Sequence, residues 1–82
     1  MNESTDEAAM TKDDWAKMAK GILKAELKRR NITYPELVER MRAMGVEDTL
    51  TRVRLKMSRG TFSAIFFLQV LNAIDCKNLR LD

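Results

Sequence analysis

Apolar positions recur at helical spacing from Trp15 onward. Trp15, Met18, Ala19, Ile22 and Leu23, with Glu26 and Leu27 one turn on, follow the 3.6-residue period, while Lys17, Lys20, Lys24 and Lys28 form a stripe on the opposite side. The pattern predicts one amphipathic helix over about 13–30. Thr11 can cap its start, and Asp13 and Asp14 fall in the first turn, where the helix dipole favours negative charge. Arg29 and Arg30 suit the other end of the dipole, and Asn31 can take a left-handed cap. Residues 1–12 are polar and lack periodicity, which predicts a disordered acidic tail ahead of a single domain over 13–82.

The next segment, "ITYPELVERMRAMG", carries a dense set of start and stop signals. Thr33 stands at the N-cap with Glu36 at N3, a capping box, and Ile32 and Leu37 occupy the two positions of a hydrophobic staple. Pro35 lies in the first turn, where its missing N–H costs nothing. Leu37, Val38, Met41 and Met44 then form one apolar stripe, and Gly45 takes the residue after the cap. With only about three residues between them, the first two helices are expected to pack against each other.

In "TRVRLKMSRGTFS" polar and apolar residues alternate from Thr51 to Ser58, the period of a half-buried strand. Read helically, Val46, Leu50, Val53 and Met57 make one seam, Asp48 can cap the start, and Gly60 sits where a left-handed cap is needed. The strand would need a partner, for which the chain offers only "NLRL", so the helix is the preferred reading, with Leu55 on its polar face. The last element is an apolar helix over about 63–74. Phe67, Val70, Leu71 and Ile74 make its core stripe, Gln69 and Asn72 mark the far side, and Ile65, Phe66 and Leu68 lie outside the stripe as an unmatched apolar patch.

Composition narrows the chemistry. In 82 residues there is no histidine, one cysteine and three glycines, which removes the usual general base, the common zinc ligand sets and glycine-rich phosphate loops. An enzyme is not expected, nor a cofactor, a metal or a small-molecule ligand. The six methionines read as packing filler. Cys76 has no partner in the chain, and without an apolar leader this fits the reducing cytoplasm. The longest apolar run, "AIFFL", is far short of a bilayer span, so no membrane partner is expected. The formal net charge of +3 is uneven: residues 1–14 hold five acids against one lysine, and the remainder holds 14 bases against 7 acids. A basic body favours an anionic partner.

Together, "ITYPELVERMRAMGV" followed by "DTLTRVRLKMSRG" resembles the lambda-repressor-like helix-turn-helix proteins, and "RGTFSAIFFLQVLNAI" is similar to that family's fourth helix and the turn before it. More narrowly, "WAKMAKGILKAELKRRNITY" with "SRGTFSAIFFLQVLNAI" is similar to a group of short bacterial proteins assigned a domain of unknown function. The likeness covers roughly residues 13–81, although the interval from Gly45 to Gly60 is longer than the repressor spacing. It implies an all-α, four- to five-helix fold with a short extended C-terminal tail. It also implies a third helix in the major groove of double-stranded DNA, with the start of the second helix on phosphate. Carried over, this sets Thr49, Thr51, Arg52 and Leu55 near the bases, and Thr33, Tyr34, Lys56 and Arg59 at the backbone.

For part of that set the residues argue on their own. At 100° per residue, Thr51, Arg52, Leu55 and Arg59 lie opposite the Leu50, Val53 and Met57 seam. Arginine can bind guanine bidentately, and an exposed leucine can pack on a thymine methyl. A solvated helix charged for solubility is the plain alternative, and the lysine stripe of the first helix is read that way. The expected function is a cytoplasmic, sequence-specific regulator of repressor type, a homodimer joined through Ile65, Phe66, Leu68, Leu79 and Leu81. The alternatives are a protein-interaction module, such as an antitoxin or inhibitor subunit, that uses the last helix, and an RNA-binding protein, disfavoured because Trp15, Tyr34 and the phenylalanines are expected mostly at core positions.

Overall fold

The computed structural model describes residues 9–81. Most of the segment expected to be disordered, residues 1–8, lies outside the described residues. Four helices follow in order, α1 (Lys12–Arg29), α2 (Tyr34–Ala43), α3 (Leu50–Arg59) and α4 (Ala64–Ala73), with no strand among the described residues. The all-helical reading therefore holds, and the stretch whose alternation could have made a strand is α3.

Each helix starts on a hydroxyl cap whose oxygen accepts an N–H from the first turn, which removes one orphan donor per helix. Thr11 accepts from Asp14 while the Asp14 carboxylate accepts from the Thr11 N–H, so the complete capping box belongs to α1. Hydrogen bonds from Thr11 hold the Asp14 carboxyl below the usual range. Thr33 caps α2, but the box expected there is half made, because the Glu36 carboxylate turns along the helix to Arg40. Thr49, not Asp48, caps α3, and Ser63 caps α4. The three residues expected to end helices are all left-handed, Asn31 (φ 58°) and Gly60 (φ 73°) as predicted left-handed caps and Gly45 (φ 85°) after the cap of α2.

The helices pack α1 on α3, α3 on α2, α2 on α4 and α4 on α1. The expected direct packing of α1 on α2 is absent. The left-handed Asn31 and the extended Thr33 redirect the chain, and buried Ile32 plugs the corner, so both helices use α3 and α4 as neighbours. The core is made by Leu23, Leu37, Met41, Val53, Met57, Val70 and Ile74, all fully buried. Burying a side chain of this size is worth about 1.5–3 kcal/mol.

Four apolar residues depart from the sequence reading. Phe66 is only 3% exposed, so it belongs to the core and is unavailable to the interface proposed from sequence. Its ring lies 5.2 Å from that of Phe62, which also stacks on Phe67, and the Lys56 ammonium sits over it at 4.6 Å. Trp15, expected in the core stripe, is 56% exposed, and Met44 is likewise at the surface. Leu79 packs partly on the core, which leaves Leu81, Ile65 and Leu68 as the exposed members of the expected interface set.

Candidate functional site

Val53 and Met57 anchor α3 in the core, with Leu50 partly buried beside them. That fixes the rest of the cylinder. Thr51, Arg52, Arg54, Leu55, Ser58 and Arg59 are all exposed, and at 100° per residue Leu55 stands near the middle of the outward face with Arg52 and Arg59 to one side and Arg54 to the other. The helix contains no acidic residue. Arg54, absent from the sequence-derived site, joins the exposed set. The signal was available in its place among the four basic residues of 52–59, though that cluster also fitted a strand edge.

The seven arginines on or next to the first three helices divide into two groups. Arg29 and Arg30 pair with Glu26, Arg40 with Glu36 and Arg42 with Glu39. Arg52, Arg54 and Arg59 form no ion pair among the described residues. The Arg52 guanidinium acts on Asp48 through its field.

Lys56 points elsewhere. Its ammonium donates to Asp48 at 2.8 Å and caps the Phe66 ring, so it braces the α2–α3 turn rather than joining the outward face. Burial raises the Asp48 carboxyl, but the Lys56 hydrogen bond and the Thr49 N–H outweigh it, and the net shift is downward. Thr49 itself is exposed, and its hydroxyl accepts the Arg52 N–H at 3.1 Å.

Thr33 and Tyr34 lie at a different place from the α3 face. They line a shallow cleft of about 280 Å³ with Lys24, Leu27, Lys28 and Ile32. The lysine stripe thus gains specific neighbours. Lys20 donates to the Ser58 carbonyl at the end of α3, at 2.8 Å, and Lys24 and Lys28 follow one and two turns later beside the start of α2. One row of lysines on α1 runs from the end of α3 to the beginning of α2. Among the described residues no helix is long and apolar enough to cross a membrane.

The sequence pattern of the family described as Domain of unknown function (DUF6471) matches residues 15–79, from the exposed Trp15 of α1 through Leu79 of the tail. No curated protein and no solved structure matches the chain.

Proposed function

The chain belongs to the DUF6471 family, and we propose that it is a lambda-repressor-like, sequence-specific double-stranded DNA-binding regulator that acts as a repressor by laying the outward face of α3 in the major groove. The observation that carries this reading is the split among the arginines. The four arginines at the end of α1 and on α2 each pair with a carboxylate about one helical turn away, Arg29 and Arg30 sharing Glu26, whereas the three of α3 are left without one. A surface charged for solubility has no need to segregate its unpaired guanidinium groups on one helix. A groove about 12 Å wide admits a single helix, and α3 presents arginines for guanine edges around a leucine for a thymine methyl. Lys24, Lys28, Thr33 and Tyr34 supply phosphate contacts, which position the protein without reading sequence.

The dimer belongs to the same reading in a reduced form. Ile65 and Leu68, 69% and 63% exposed, are one turn apart on the outer side of α4. Two such side chains are a small patch beside the roughly 800 Å² per partner of a standard interface. Two copies therefore pair on adjacent half-sites of an inverted repeat and separate in free solution.

The test is anisotropy of labelled duplexes, one random and one selected from a random pool, at about 50 and 200 mM salt. Binding that falls steeply with salt on both and is tighter on the selected duplex supports the proposal, since each neutralised phosphate releases counterions. A salt-independent response, or no preference after selection, overturns it. Sedimentation of the free protein as a dimer overturns the assembly.

A further inference from the structure

A second concavity, larger than the cleft beside Thr33 and Tyr34, lies on the other side of α1. A groove of about 950 Å³ runs between that helix and the C-terminal tail, with Met18, Gly21, Ile22 and Ala25 along the first part of the helix wall and Glu26, Arg29 and Arg30 along the second. Asn78, Arg80 and Leu81 form the opposite wall. This volume is at the upper end of the range found for small-molecule sites, and the groove plays no part in the DNA reading.

Its polarity changes along the groove. Over the helix wall, on the order of 16 Å from Met18 to Arg29 at 1.5 Å per residue, the lining passes from wholly apolar to guanidinium-bearing. A molecule with an anionic head and an apolar body matches an end-to-end change.

The charged end has donors to spare. The two carboxylate oxygens of Glu26 are separately engaged, one by Arg29 and one by Arg30. Arg29 uses a single nitrogen in that pair and its side chain is largely exposed, so most of its five N–H donors face outward. Glu26 is shared by both guanidinium groups and Asp75 acts on Arg30 only through its field, so the surplus positive charge of this end lies at Arg29.

Gly21 supplies an independent observation. Glycine inside a helix costs about 0.5–1 kcal/mol relative to alanine. A β-carbon at Gly21 would meet nothing within 4 Å, so no packing contact requires the glycine. What a side chain there would occupy is the groove.

We infer that this groove binds an amphiphilic carboxylate of medium chain length, its head on Arg29 and Arg30 and its chain over Gly21, Ile22 and Met18. The experiment uses the full chain and sodium decanoate below micelle-forming concentration, read by calorimetry and by the NMR shifts of the Met18 and Ile22 methyl groups. Decyltrimethylammonium bromide serves as the cationic counterpart. Saturable decanoate binding with shifts at those methyls, and none from the cationic amphiphile, is the expected result. Arg29→Gln should weaken decanoate at least about tenfold, the scale of one charge-assisted hydrogen bond. Gly21→Leu should abolish binding while raising the melting temperature, so loss of fold cannot explain it. Equal response to both amphiphiles, or full decanoate binding by Gly21→Leu, overturns the inference.

Discussion

A β-carbon at Gly60 would stand 2.3 Å from the carbonyl oxygen of Ala16, so the end of α3 rests directly on the backbone of α1. The same glycine holds a left-handed φ of 73°. Contact and conformation each require glycine. Left-handed strain alone costs a residue with a β-carbon about 1–2 kcal/mol, and the clash is with backbone, which cannot rotate away. Gly60→Ala is therefore expected to lose more than about 2 kcal/mol in chemical denaturation, whereas Gly45→Ala, equally left-handed but in open space, should lose only the strain. Equal losses at the two glycines would show that the contact with Ala16 is not tight.

Thr49 and Leu55 stand together near the bases on the sequence reading, yet their surroundings separate them. Thr49 holds the first turn of α3, so Thr49→Ala should cost about 1 kcal/mol of stability, typical for removal of a cap. Leu55 is 47% exposed, and Leu55→Ser should change stability by no more than about 0.5 kcal/mol. On DNA the order reverses. Leu55→Ser should lower affinity for the selected duplex and leave the random duplex unchanged. A destabilised Leu55→Ser protein would place that side chain in the core.

Local chemistry was legible in the sequence. Thr11, Thr33, Asn31, Gly45 and Gly60 end their helices where residue type and spacing indicate, because caps and left-handed turns are decided within four or five residues. Asp48 and the adjacent Thr49 are both good caps by residue type, and only the Lys56 ammonium, eight residues beyond Asp48, settles which side chain is engaged elsewhere. Direction toward the core was less legible. In α4 nearly every position is apolar, so periodicity alone could not orient it, and Phe66 is turned inward by Phe62 and Lys56 from outside the helix. In α1 the apolar arc is wider than α3 and α4 can cover, which leaves Trp15 at the surface and Ile22 beside a groove. The segregation of paired from unpaired arginines needed side-chain geometry as well as order along the chain.

Acid should weaken the fold chiefly through the two lowered carboxylates whose side chains are least exposed, Glu26 and Asp48, rather than through Asp14 and Asp75. Glu26 is held below the ordinary glutamate range by hydrogen bonds from Arg29 and then Arg30, and Asp48 is lowered despite its burial. A carboxyl whose folded pKa lies below its unfolded one adds stability that is complete above the unfolded value, about 4, and is lost as pH falls through the folded value. Thermal melts followed by circular dichroism should therefore be flat from about pH 7 to 5 and drop below about pH 4. Glu26→Gln and Asp48→Asn should melt lower at pH 7 and lose less on acidification. Parallel acid limbs in wild type and variants would exclude these two groups as the cause.

The salt dependence of DNA binding can sort the cations one by one. Removing a single cation that touches phosphate should reduce the slope of log affinity against log salt by about 1, equally on every duplex. Lys24→Ala and Lys28→Ala, beside Thr33 and Tyr34 in the small cleft, are expected to do this without altering sequence preference. Arg52→Ala should instead cost about 1–3 kcal/mol on the selected duplex and relax preference at one base position, as removal of a bidentate base pairing does. Arg54→Ala decides whether the exposed face extends past Leu55, and a shallower slope there would widen the footprint beyond the residues expected from sequence. Arg42 provides the control, because its guanidinium is already engaged by Glu39 at 2.8 Å and lies on α2. If Arg42→Ala lowers binding as much as Arg54→Ala, the unpaired arginines of α3 have no special role, and attraction to DNA follows from net charge alone.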